Sequence, residues 1–488
     1  MLVKFHPTHS KEVLLIMKKD KKEEKKLSGR YIREPGFKNL SKSERSMMES
    51  YSKSYIDFLG KAKTERLAYS ESIALLKKNG FRPIESVKTL KPGDKVYRGY
   101  HGKTLLAAVI GSRPIGDGVN VVGGHTDAPR IDLKPVPLAE KGGFAYFDTR
   151  YYGGIKTYQW VVRPLALYGV VCRKDGTTVE IAVGDKPGDP AFMITDILPH
   201  LGQEQAKKTL SQGIAGEDLD LLIGSEPSSD EDAKEKVKEN ILSLLKSEYG
   251  IEEEDFTSAE LEIVPAGMPC EIGFDRSMIA GYGHDDRVCA YAGLKGLIDL
   301  DGIPGRTAVV IMCDKEEIGS VGATGMDSTF FENSIAEIAS RVLGKEYSDL
   351  AVRRILEASR MISADVTAAA DPLYAGSDAP GNTALMNAGA CINKYTGGRG
   401  KGGANDARAE FLGELRAIFA KHNVAWQIGE LGKVDHGGGG TIAKFMSRYG
   451  MDVVDMGTAL LNMHAPCEIA SKFDVYMTYR AYRAFMED

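Results

Sequence analysis

The chain of 488 residues is 43% hydrophobic and 27% charged, with 63 basic and 68 acidic side chains leaving a formal charge of −5. That mix excludes fibrous, collagen-like and wholly disordered classes, and the slight acidic balance supplies no overall field that would draw nucleic acid or an anionic membrane. The length suits two or three domains, and no apolar run approaches the roughly 18 residues needed to span a bilayer.

Residues 1–27 read as a polar lead-in whose charged block at 18–26 does not resemble a secretory signal. Residues 41–78 predict helix, with Asn79-Gly80 as the stop. The apolar runs at 104–110 and 119–123 predict strands buried on both faces of a sheet. Near Lys134 the texture changes. Residues 144–184 are rich in Tyr, Val and Thr, with an Asp175-Gly176 turn between two alternating runs, which is a hairpin signal. A charged helix is expected over 229–248, stopped by Gly250. This middle block reads as a separate, mainly antiparallel unit. From Asp285 the α/β alternation resumes: Val288, Tyr291, Leu294 and Ile298 mark one helical face, 306–313 a buried strand, 348–360 a helix and 361–365 a strand. The simplest account is one α/β domain interrupted by an inserted β-rich unit. Six cysteines are scattered singly with no CxxC pair, a pattern of reduced thiols in a cytoplasmic protein.

Five short segments place acids or imidazoles at the ends of predicted strands: His125 and Asp127 in GGHTD, Asp285 in HDDR, Glu316 and Glu317 in CDKEE, Asp365 in SAD and His464 in NMH. Ligands of open α/β sheets gather outside the carboxyl ends of strands, so the five can converge on one crevice. Imidazoles and carboxylates without thiolates suit zinc, with cobalt or manganese as substitutes. Two histidines with Asp285, Glu317 and Asp365 bring a charge of −3; two divalent ions and one bridging hydroxide close the sum to zero. Paired metals of this kind activate one water in aminopeptidases and other hydrolases. Of the adjacent Glu316 and Glu317, one can ligate while the other handles protons.

These strings, GGHTDAPRIDLKP at 123–135 with DKEEIGS, SADV and MHAPCEIAS, resemble the aspartyl aminopeptidase family of dinuclear zinc metallopeptidases from about Ser41 to the C-terminus. The resemblance implies a three-layer α/β catalytic domain with a mixed sheet over 1–134 and 277–488. It implies an inserted β-rich dimerisation domain over 135–276, which matches the family less closely. By the same resemblance His125 and Asp365 ligate one metal, Glu317 and His464 the other, and Asp285 bridges them. Glu316 matches the general base, and Asp127 the acid that orients His125. Family members often carry asparagine after the bridging aspartate; here Asp286 stands there, and the motif's register assigns the bridge to Asp285. The implied activity is removal of N-terminal residues, preferably Asp or Glu, from peptides. The implied assembly is a homo-oligomer, a dodecamer built from dimers. Another dinuclear amide hydrolase, a carboxypeptidase or deacylase, would use the same core, and a catalytically silent peptide-binding assembly protein is the reading from a different class.

Substrate contacts are expected at Lys394, which matches a family lysine, and at His200, since related enzymes pass an inserted-domain histidine into a neighbouring active site. Arg399 and Lys401 are reserve cations. Gly398, Gly400 and Gly403 satisfy GxGxxG, but no ribose-binding acid follows in a βαβ unit, so a loop near the site is the better reading. Gly437 to Gly440 fits either backbone donors for a bound peptide or a tight turn.

Overall fold

Five apolar runs build the centre of the molecule. In the computed structural model, which describes Tyr31, residues 33–399 and residues 402–488, they are Thr104–Val109, Val119–His125, Thr307–Cys313, Arg360–Ala364 and Asp452–Gly457. The polar lead-in expected at 1–27, and Gly400 and Lys401, lie outside the described residues. A nine-stranded mixed sheet runs in the order Arg82–Pro83, Lys95–Tyr100, Thr104–Val109, Thr307–Cys313, Val119–His125, Arg360–Ala364, Asp452–Gly457, Ala390–Asn393, Trp426–Ile428. Its middle four strands are parallel, with Cys313 opposite His125 and Ser363 opposite both Gly123 and Asp455. Successive side chains leave opposite faces of a strand: Val122 and Val310 enter a core shared with the helices Lys42–Lys61, His284–Ile298 and Lys472–Glu487. Val121 and Val309 enter the other, under Phe330–Leu343 and Asp349–Glu357. Three layers result, and the four parallel strands end together on one edge.

A second sheet of six strands runs Thr178–Val183, Leu165–Cys172, Ala259–Pro265, Arg130–Lys141, Phe144–Tyr152, Leu221–Gly224, over a core of its own around Trp160, Phe147 and Phe256. The expected turn at Asp175-Gly176 joins its first two strands, with Cys172 opposite Thr178. A third sheet, of five short strands, brings Gly281 opposite Glu468. Residues 36–488 form one compact unit. The strand Arg130–Lys141 passes residue 135 without a break, and Cys270–Ile272, inside the interval 135–276, belongs to the five-stranded sheet.

Several boundaries differ from expectation for local reasons. The stretch 41–78 is two helices, Lys42–Lys61 and Glu65–Lys78, because Thr64 caps a new start by accepting from the Leu67 amide. Ser41 and Glu44 form a reciprocal capping box at the first start. The charged helix begins at Lys236 rather than at 229, and Gly250 ends it in the left-handed conformation. The helix expected over 348–360 spans Asp349–Glu357, capped by Ser348. The strand expected over 361–365 stops at Ala364, leaving Asp365 outside the ladder.

Candidate metal centre

His125 is the last residue of its strand, and Asp365 follows directly on the neighbouring strand's end. The His125 Nδ1–H donates to the Asp127 carbonyl at 3.0 Å, which turns Nε2 toward the cleft. There Nε2 lies 3.3 Å from Asp285 Oδ1 and 4.0 Å from Asp365 Oδ1. Asp285 opens a helix with non-helical dihedrals, and its second oxygen, Oδ2, faces Nε2 of His464 at 3.2 Å. One carboxylate therefore stands between two imidazoles, an oxygen toward each. His464 Nδ1–H donates to the Gly154 carbonyl at 2.8 Å, and its Nε2 is 3.7 Å from Glu317 Oε2. Donor atoms of His125, Glu316 and Asp365 lie within 4.8 Å of one another, as do those of His125, Asp285 and Glu317. Asp286 turns away from the cleft, its Oδ2 accepting from the His125 amide at 3.3 Å.

The electrostatics describe groups that need a cation. Burial pushes the Glu316 carboxyl up to about 7, with the Asp285 charge adding to the push. Burial also raises Glu317 and Asp365, each beside further carboxylates. Burial alone would lower both imidazoles, yet the surrounding carboxylates hold His464 at about 10 and His125 well above its ordinary value. Glu317 Oε1 is buried without a hydrogen-bond partner among the described residues. Crowded acids that resist ionising beside imidazoles that retain protons are what divalent cations would relieve, and this nitrogen-and-oxygen donor set fits zinc.

Two carboxylates outside the donor set hold the frame. Asp127, fully buried, accepts from the backbone amides of Glu316 and Glu317 at 3.2 Å each and faces His125 Nδ1 at 3.2 Å. Glu468 accepts from the amides of Asp285 at 3.1 Å and His464 at 2.8 Å, so one side chain spaces two of the candidate ligands. Sequence reasoning missed Glu468, although it stands inside the MHAPCE string. It also missed Gly154, whose signal was a glycine pair directly after a strand end: a Cβ there would meet His464 at 3.4 Å.

A cleft of about 260 Å³ opens from this centre, lined by Val366, Thr367, Tyr395, Leu431, Met463 and the two glycine-rich loops. Those loops are joined by the Gly397 amide donating to the Gly439 carbonyl at 2.7 Å. Gly438 has φ +98°, and a Cβ there would stand 2.4 Å from the Gly397 carbonyl oxygen, so glycine is required for the loops to meet. Asp455 anchors both, accepting from Thr441 at 2.5 Å and from Thr396 at 3.3 Å. Lys394 is not in the lining; its Nζ pairs with Asp406 at 2.9 Å and lies over the Tyr395 ring. Among the described residues lining the cleft there is no lysine or arginine. His200 is exposed in a turn, within a segment that also exposes Ile197, Leu198 and Leu201, and does not reach this chain's own cleft.

Residues 58–486 match the model of the family described as aminopeptidase I zinc metalloprotease (M18). A Clostridium acetobutylicum protein named "Probable M18 family aminopeptidase 1" is 50% identical over 436 residues, 88% of this chain and 93% of that protein. The crystal structure of an M18-family aminopeptidase from Thermotoga maritima superposes with a TM-score of 0.90 at 44% identity, covering 94% of this chain and all of that one. At 22% identity an S. cerevisiae mApe1 dodecamer shares the fold, with a TM-score of 0.72 over 90% of this chain and 96% of that one.

Proposed function

The chain belongs to the aminopeptidase I zinc metalloprotease (M18) family, and from that premise we propose that this metal-dependent aminopeptidase holds two divalent ions on five side chains and releases N-terminal residues from peptides. His125, Asp285 and Asp365 would hold one ion; His464, Asp285 and Glu317 would hold the other. The observation that carries this reading is Asp285, with one oxygen 3.3 Å from the first imidazole and the other 3.2 Å from the second. Two zinc ions bound there would supply Lewis acidity, acidifying a water between them and polarising the scissile carbonyl. Glu316, which lines the cleft beside the donor atoms, accepts the proton of the attacking water and returns it to the leaving amine. Asp127 holds His125 in the tautomer whose free lone pair faces the cleft. Elemental analysis should find two zinc ions per chain, and a free-amine peptide should be cleaved where its N-acetylated form is not. Cleavage of the acetylated form would point instead to a deacylase or carboxypeptidase.

The preference for Asp or Glu implied by the resemblance needs a cation beside the substrate carboxylate, since an unpaired buried charge is costly. Lys394, if released from Asp406, or His200 of a second copy would supply it. A second reading is favoured by the uncharged lining of Leu431, Met463, Val366 and Tyr395: that the cleft takes a neutral N-terminal side chain. Leucyl, aspartyl and glutamyl reporter substrates decide between the two. A dodecamer built from dimers, with the six-stranded unit as the dimerising part, is supported by the exposed Ile197, Leu198, Leu201 and Leu210 on that unit and by the mApe1 dodecamer. A catalytic part made of 1–134 and 277–488 around an inserted 135–276 is our division of the chain. No described helix is long and apolar enough to cross a membrane. A cytoplasmic location is supported by the six scattered cysteines, which include no CxxC pair.

A further inference from the structure

The end of the strand Phe144–Tyr152 reaches out of the six-stranded sheet and touches both halves of the metal centre. Tyr152, the last residue of that strand and 8% exposed, donates its hydroxyl to Asp127 Oδ2 at 2.9 Å. Two residues on, the Gly154 carbonyl receives the Nδ1–H of His464. The Tyr152 ring is itself fixed. The Arg130 guanidinium lies 3.9 Å from its centroid and is held by Asp132 at 2.7 Å, Glu65 at 3.2 Å and Glu262 at 3.4 Å. Lys103 pairs with the same Glu65 at 2.8 Å. A ring clamped in this way can deliver its hydroxyl to one place only.

A carboxylate offers about four lone-pair directions, and on Asp127 they go to Tyr152, His125 and the amides of Glu316 and Glu317. The contact from Tyr152 is the shortest of the four and comes from the one donor that lies outside the catalytic segments. Without it the carboxylate keeps its three longer contacts but loses the shortest, and its hold on the His125 ring and the Glu316–Glu317 backbone loosens. We propose that Tyr152 is a positioning residue for the reaction, fixing Asp127 and through it the orientation of His125 and the placement of Glu316. The inference rests on the aminopeptidase reading of the site and adds that the six-stranded sheet takes part in aligning it.

Tyr152→Phe removes the hydroxyl and keeps the ring under Arg130. The expected result is a fall in kcat of about tenfold with KM within twofold, because the substrate-lining residues 366–367, 395–397 and 438–441 are untouched. Zinc content should match wild type, while the visible absorption of the cobalt-substituted protein, which reports ligand geometry without turnover, should shift. In an Asp127→Asn background the same change should cost nothing further, since the path it acts through is already broken. p-Aminophenylalanine at 152 keeps a donor in place and should restore most of the lost kcat, a test that stands even if the phenylalanine variant folds poorly. A Tyr152→Phe protein with wild-type kcat and an unchanged cobalt spectrum overturns the proposal, as do losses that simply add in the double variant. Wild-type protein without metal-dependent turnover would instead remove the aminopeptidase reading, and the cobalt spectra would still judge the role of Tyr152.

Discussion

Replacing Glu316 by glutamine separates proton transfer from metal binding at two adjacent acids. The substitution keeps the backbone amide that Asp127 holds at 3.2 Å and the side chain's shape, and removes only the ability to carry a proton. Glu316 lines the cleft beside the donor atoms, where a general base has to stand. General-base catalysis contributes roughly 10²- to 10⁴-fold, so kcat should fall by that factor, or about 2.7–5.5 kcal/mol of barrier. A competing role is visible in the geometry, because Glu316 also stands within ligating distance of His125 and Asp365. Zinc stoichiometry measured beside steady-state hydrolysis distinguishes the two. Two zinc ions retained with turnover down at least a hundredfold is the expected outcome. Loss of one zinc, or a kcat within tenfold of wild type, would refute the assignment of Glu316 as base.

Glu317→Gln should instead lower zinc content toward one ion per chain, since Glu317 faces His464 at 3.7 Å, and added zinc should partly restore activity. On the uncharged-cleft reading a leucyl substrate should exceed aspartyl and glutamyl ones in kcat/KM, and Lys394→Leu should change each by less than about threefold, because an exposed ion pair contributes little. A selective loss of about 30- to 150-fold on the acidic substrates, the size of a lost hydrogen bond to a charged group, would restore the acidic preference. In metal-free protein, burial depresses the His284 imidazole to about 3, and the Tyr55 hydroxyl shares a hydrogen bond with its Nδ1 at 2.7 Å. The unfolded chain then binds the proton first. Stability should decline as pH falls below about 6.5, by up to roughly 1.4 kcal/mol per unit, until about pH 3. His284→Gln, which keeps an acceptor but cannot titrate, should flatten that limb of a urea-midpoint curve; an unchanged slope would count against it.

The short motifs were legible because each sits at a strand exit, where a run of buried residues meets a polar turn: Cys313 to Glu317 and Ala364 to Asp365 are of this kind. Local signals also marked the stops at Asn79-Gly80 and Gly250 and the Asp175-Gly176 turn. The break at 62–64 was missed because no glycine or proline there signals it: Ala62 leaves the helical dihedrals and Thr64 caps the next start. Tyr152 and Glu468 were invisible for a different reason. Their meaning comes from pairings made elsewhere, Arg130 opposite Tyr152 in one sheet and Gly281 opposite Glu468 in another, and no local pattern encodes a partner so distant in the chain. The fate of Lys394 was hidden likewise, because Asp406, its partner, lies across a loop.

The parallel pairing that sets Cys313 opposite His125 has a bearing on how the protein matures. A slip of two residues would keep each side chain on its own face, but it would bring Val121 and Val122, or His125 and Thr126, to the places where Gly123 and Gly124 leave no room for a Cβ beside Ile311, Met361 and Asp286. Such a slip moves one strand about 6.6 Å along its neighbour, farther than the 4.8 Å within which the donor atoms gather. A misregistered chain would crowd the two glycine positions and bind zinc poorly. Packing at the glycines and ion binding would thus favour the same register, because only the correct alignment gains both.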